Sequence, residues 1–314
     1  MYFCHIRQRR RRLVYFIGII SCVAIIFVLN FRGGPSGTKL KRELPGITIN
    51  YVQTVFITAE QTLEEIEENF FSYLEVIDVH CRDDRRLGSL NDGGWNVCFS
   101  PPFALKQPCL VYSFGIGDDW RFEDEVSTVY KCSVLAFDPS LQLKEHNRSK
   151  LIRFKPLGLG GKSEVNSKGW KLKSLLTHIM AEGHLEAIID YLKFDVEYSE
   201  WSALESMLSD RILKNVKQVV FEIHSRESLR AINPDLPSTE FFTSKKDFLK
   251  MYRLLSWLES LNFKKFYYRR NLFCDYLSNI TKRVRCSCYE LHYVNLDFIK
   301  EEHFEGIDRK VTFM

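Results

Sequence analysis

VYSFGIGDDWRFEDEV (residues 111–126) passes from an apolar run through two glycines into acids, and its reading decides the fold. The run has the length and composition of a buried strand. Phe122, Val126 and Val129 recur at helical spacing, so a strand–turn–helix unit is predicted. Gly115 and Gly117 lack a Cβ, which lets the backbone turn sharply and approach a ligand closely. In open α/β sheets, ligands bind just beyond the carboxyl ends of the strands. A phosphate loop would add a lysine or further glycines there. Asp118 and Asp119 stand there instead and would repel phosphate, so the turn suits an ammonium or sulfonium ligand. Its expected contacts are Phe114, Gly115, Gly117, Asp118 and Asp119. The competing use of one aspartate is to cap the following helix.

Outward from this turn the pattern alternates. Apolar runs recur at 133–138, 151–157, 187–194, 218–223, 264–268 and 288–294. Between them lie helical stripes: Trp170, Leu172, Leu175, Leu176 and Ile179, closed by Gly183; Trp201, Leu204 and Leu208, capped by Ser199; and Phe248, Met251, Leu255 and Leu258 after Ser244. Short buried strands alternating with helices predict an α/β domain with a mainly parallel sheet covered on both faces. The last two runs have no helix between them and predict an antiparallel edge pair. Before the first strand, a capping box at Thr62–Glu65 opens a helix with Leu63, Ile66, Phe70 and Leu74 on one face. Residues 81–108 read as irregular.

The N-terminus is of another kind. Leu13–Leu29 is seventeen residues without a charge, directly after five arginines in Arg7–Arg12. That length suffices for a spanning helix, and arginines before it favour a cytoplasmic N-terminus. The expected layout is a basic tail (1–12), a transmembrane signal anchor (13–30), a stem (31–58), a helical and irregular segment (59–108) and the main domain (109–314). This makes a single-pass type II membrane protein with a lumenal body in the Golgi or endoplasmic reticulum. Sequons at Asn147 and Asn279, and seven cysteines beyond the anchor, agree with an oxidising compartment. Net charge is +4 with the basic excess in the tail, so no nucleic-acid partner is expected. No cysteine or histidine cluster has zinc spacing, and no metal site is predicted.

The later strand ends carry acids. Asp138 lies 21 residues beyond Gly117, where a carboxylate can hold the hydroxyls of a ribose. LKFDVEYSEW (192–201) places Asp195 and Glu197 just past the fourth run, on one side if the chain stays extended. The fifth run ends with Glu222 and His224 in the same relation. Asp195, Glu197 and His224 are the candidate proton acceptors.

Taken in order, YSFGIGDDWRFEDEV, CSVLAFDPS, LKFDVEYSEW, VVFEIH and CSCYELHYVN resemble the methyltransferase-like protein 24 family, relatives of the FkbM methyltransferases. The likeness covers about residues 80–296 and includes DGGWNVC (92–98). It implies a Rossmann-like, seven-stranded methyltransferase sheet that binds S-adenosylmethionine. By position, Gly115 and Gly117 would make the methionine-side turn, Asp138 the ribose clamp, and Asp195 and Glu197 the acids after strand four. FkbM proteins usually carry a glycine where this chain has Tyr198, so the backbone there is expected to differ.

The function expected is O-methylation of a hydroxyl on a secretory-pathway substrate such as a glycan. One rival is an anchored lumenal glycosyltransferase, although the chain has no D-x-D motif for a metal–nucleotide-sugar. The other is a non-catalytic binding protein on the same scaffold. Three disulfides are expected: Cys81–Cys98, Cys109–Cys132, and Cys274 with Cys286 or Cys288. The second follows from parallel neighbouring strands, whose starts would lie about 5 Å apart.

Overall fold

A computed structural model describes residues 41–44, 46–50 and 55–299. Its centre is an eight-stranded sheet. The strands are β1 (Leu110–Phe114), β2 (Ser133–Phe137), β3 (His146–Asn147), β4 (Ile152–Lys155), β5 (Tyr191–Phe194), β6 (Gln218–His224), β7 (Phe263–Arg270) and β8 (Cys288–Asn295). Their order across the sheet is β7-β8-β6-β5-β1-β2-β4-β3. From β6 to β4 every pairing is parallel, while β8 runs antiparallel to both β6 and β7. The mainly parallel sheet and the antiparallel edge pair are therefore present. The eighth strand is the short β3, antiparallel to β4 at the far edge.

The two faces are covered unequally. One carries four helices: α1 (Leu63–Leu74), α3 (Leu175–Ala181), α4 (Glu200–Ser209) and α5 (Lys245–Ser260). Phe70, Ile179, Leu204 and Leu255 from these helices share a core with Phe114, Phe194 and Phe221 of the sheet. The other face carries α2 (Arg121–Thr128) and a hairpin of Asp84–Leu87 with Trp95–Cys98. There Phe122 and Val126 pack with Trp95, Val97, Val134 and Tyr191. The hairpin replaces a second helix on that face, and it lies in the stretch read as irregular.

The capping box at Thr62–Glu65 forms, and the structure adds a second at Ser244–Asp247. Several local readings need correction. Val129 falls one residue past α2 and is exposed. Trp170 and Leu172 stand outside α3, because Lys171–Lys173 forms a strand. Ser199 has helical dihedrals and makes no capping bond. Lys41–Leu44 and Ile47–Asn50 pair as strands, and Leu44 and Ile47 are buried against Cys98, Phe266 and Val294. The folded body thus begins inside the expected stem. The anchor and basic tail lie outside the described residues, among which no helix is long and apolar enough to cross a membrane.

Three disulfides hold the periphery: Cys81–Cys98, Cys109–Cys132 and Cys274–Cys288. Leu110 and Ser133 are register partners, which brings Cys109 and Cys132 just before them to a Cα separation of 4.7 Å. Cys286 is left as a buried free thiol.

Candidate active site

Strand register builds the site. β2, β1, β5 and β6 align Phe137, Phe114, Phe194 and Phe221 in one row across the sheet. Phe114 stacks on Phe137 with centroids 4.5 Å apart, and Phe194 on Phe221 at 4.8 Å. Side chains alternate along a strand, so the next row faces the other way. That row is Asp138, Gly115, Asp195 and Glu222. The backbone keeps pairing into it: Gly115 N–H donates to Phe137 O at 2.9 Å, and Asp195 N–H to Phe114 O at 3.1 Å. The same alternation corrects one expectation. Phe114 is fully buried in the core behind the row and does not face the ligand side.

Gly115, Gly117, Asp118, Asp119, Asp138, Asp195 and Glu197 line one cavity of about 510 Å³. Gly115 has φ +71°, and a Cβ there would stand 1.6 Å from the Asp195 carbonyl oxygen. Glycine is what lets the first turn press against the end of β5. The buried Lys193 ties the two together by donating from Nζ to Gly115 O at 2.5 Å. Gly117 differs: it has φ +56°, but its Cβ would meet no protein atom within 4 Å. Gly117→Ala is therefore expected to cost only about 1–2 kcal/mol of stability through its left-handed backbone. It is expected to weaken donor binding tenfold or more, because the methyl enters the cavity. Calorimetric titration beside a melting curve checks both.

The acids of the turn divide their work. Asp119 pairs with Arg121 at 2.5 Å and accepts the Arg121 backbone N–H at 3.2 Å, so it serves the start of α2. Asp118 is exposed on the cavity wall and accepts no hydrogen bond among the described residues. Asp138 has a role the sequence did not suggest. Its Oδ2 accepts from Gly117 N–H at 2.8 Å, and its Oδ1 accepts from Ser140 N–H at 2.7 Å and from the Ser140 hydroxyl. The carboxylate thus fastens the glycine turn to the end of β2, and a ribose would share an acceptor already in use.

Beyond β5 the chain does not stay extended. Glu197 and Tyr198 have φ +54° and +75°. Alternation therefore cannot place Asp195 and Glu197 on one side, and the turn does so instead. Tyr198 adopts a left-handed backbone of the kind that favours glycine. Such conformations cost about 1–3 kcal/mol each and cluster at functional sites.

Asp92, Asp195 and Glu197 also line a second cavity of about 1090 Å³, which contains Glu222 and His224. The two hollows therefore meet at Asp195 and Glu197. Asp195 Oδ1 is shielded from solvent and has no hydrogen-bond partner among the described residues. Burial raises the Asp195 pKa to about 6, with the charges of Glu197 and Glu200 adding to it and those of His224 and Lys193 opposing it. A carboxylate titrating there suits proton transfer near neutral pH.

His224 is held by a residue that sequence reasoning missed. Glu200, buried in the first turn of α4, accepts from His224 N–H at 2.7 Å and bonds its ring Nδ1 at 2.9 Å. Burial alone would lower the His224 pKa. The charge and hydrogen bond of Glu200, with Asp195 and Glu222, outweigh it and raise the value to about 10. An imidazole held protonated at neutral pH is a poor proton acceptor, so His224 drops behind the two carboxylates. The sign of the linkage follows. A raised pKa contributes stability that is complete below about 6.5 and fades as pH rises through about 10. His224→Gln is expected to cost about 3 kcal/mol at neutral pH and to remove that part of the pH dependence of urea unfolding. Lys193, Asp92 and Trp95 were likewise not assigned to the site from sequence, yet all three line the first cavity. The last two come from the hairpin, in the stretch that read as irregular.

A family described as "Methyltransferase domain" matches residues 48–285. "Probable methyltransferase-like protein 24" of Homo sapiens is 28% identical over 257 residues, covering 75% of this chain and 66% of that protein, and the Rattus norvegicus protein gives the same figures. The chain thus spans just under two thirds of the length of these relatives. The Methanococcus jannaschii fibrillarin pre-rRNA processing protein aligns with 82% of this chain and 98% of its own, at 9% identity and a TM-score of 0.33, which is too slight to carry an argument. The chain belongs to the methyltransferase-domain family, with methyltransferase-like protein 24 among its members.

Proposed function

We propose that this chain moves a methyl group from S-adenosylmethionine to a hydroxyl of a secretory-pathway acceptor, with glycans the first candidates. One observation carries the reading: an acid-lined donor cavity and a larger cavity meet at Asp195 and Glu197. The donor side fits the group. Gly117 leaves room beside bare backbone, Asp118 is free for an ammonium, and the Asp195 carboxylate lines the same cavity and can offset a sulfonium charge. S-adenosylmethionine supplies an electrophilic methyl on a positively charged sulfur. Asp138 and Lys193 hold the turn in shape, and Asp195 or Glu197 would take the hydroxyl proton as the carbon–oxygen bond forms and the methyl–sulfur bond breaks, the sulfur leaving as a neutral thioether. Holding the acceptor in line supplies most of the acceleration.

Three disulfides among the described residues support a body folded in an oxidising compartment, in keeping with a type II lumenal layout. The test is incubation of the purified chain with methyl-labelled donor and a secreted glycan pool. Label in released glycans, absent with Asp195→Ala, is the expected result. Label confined to protein or lipid would overturn the assignment of the acceptor.

A further inference from the structure

Glu222 and His224 lie two residues apart on β6, so both face the second cavity. Each is buried, with a relative exposure of 5%. Each also keeps a ligand atom unused. One Glu222 oxygen accepts from Asn271 at 3.2 Å, and the other accepts no hydrogen bond among the described residues. His224 commits Nδ1 to Glu200, while Nε2 makes no hydrogen bond among the described residues and stands 3.8 Å from Glu197 Oε2. A carboxylate fixing one ring nitrogen, so that the other is presented outward, is how proteins orient an imidazole toward a metal. A Glu222 oxygen, a His224 nitrogen and Cys288 Sγ lie within 4.8 Å of one another. Cys288 is bound in its disulfide with Cys274 and offers no thiolate.

We propose that Glu222 and His224 bind a divalent metal ion at the floor of the second cavity, with Glu197 completing the set from the rim. One imidazole among carboxylates suits an ion that accepts both nitrogen and oxygen, such as Mn²⁺. On binding, the proton on Nε2 leaves to solvent and the freed nitrogen lone pair goes to the ion. With side chains arriving from one rim only, positions remain for oxygens of the acceptor. That use of the ion rests on the O-methyl transfer proposed above, whereas the binding itself does not. The ligands come from the ends of two strands, so no linear spacing announces them.

The test reads binding directly. The purified full chain is titrated with Mn²⁺ and followed by electron paramagnetic resonance, with donor titration run in parallel. One bound Mn²⁺ is expected, with affinity lowered tenfold or more in Glu222→Gln and donor affinity little changed. Should Glu222→Gln fail to fold, Glu197→Gln at the exposed rim is expected to weaken Mn²⁺ several-fold. Absence of bound Mn²⁺ in the wild-type chain, or equal binding by the folded variants, overturns the proposal. Mn²⁺ binding without glycan methylation would leave the metal site standing and sink only the acceptor.

Discussion

Gly115→Ala is expected to destabilise the domain by about 4 kcal/mol or more, the largest loss of stability from any single methyl group in the site. Two costs add. The residue sits at φ +71°, where an L side chain is strained, and its Cβ would overlap the Asp195 carbonyl oxygen at 1.6 Å. The oxygen cannot swing aside as a side chain would. It belongs to the backbone at the end of β5, and the Asp195 N–H is bonded to Phe114 O. Relief requires the β1 turn and the β5 end to part, which breaks the Lys193 bond to Gly115 O and opens the wall of the donor cavity. Urea unfolding measures the loss, with Gly117→Ala as the control for backbone conformation alone. Equal loss in the two variants would show that the close approach to Asp195 does not matter.

Asp195→Asn is expected to leave the fold in place and to lower methyl transfer by about 10²–10⁴-fold, the range for losing a positioned proton acceptor. The amide keeps the shape and removes the charge. Because burial raises the carboxyl pKa to about 6, transfer by the wild-type chain should fall as pH drops through that value, when the base becomes protonated. In Asp195→Asn that acid limb should vanish from the pH profile. A profile that keeps the limb would assign the proton to Glu197 instead.

Much of this site was legible because strand ends and glycines leave local marks. Gly115, Asp138 and Asp195 each follow an apolar run directly, with Gly117 two residues on, and parallel register then brings the first three into one row. What could not be read depends on the backbone or on partners distant in sequence. Phe114 faces the core because its row alternates with the acidic one. Glu197 reaches the rim through a left-handed turn that extended geometry does not contain. Glu200 looked like an ordinary acid in the first turn of a helix, and only the packing of α4 on β6 shows that it grips His224. The hairpin over the second face was missed because its strands are four residues each and joined by glycines. Asp138 was expected to serve a ligand and also fastens the glycine turn after β1, a bond set by two strand ends meeting.

The central claim is that the first cavity holds a sulfonium-bearing nucleoside. Calorimetric titration of the purified chain with S-adenosylmethionine, beside a nucleotide diphosphate sugar, tests it most directly. The structure leads us to expect one molecule of S-adenosylmethionine bound per chain and no heat from the sugar nucleotide. Saturable binding of the sugar nucleotide with none of S-adenosylmethionine would contradict the account.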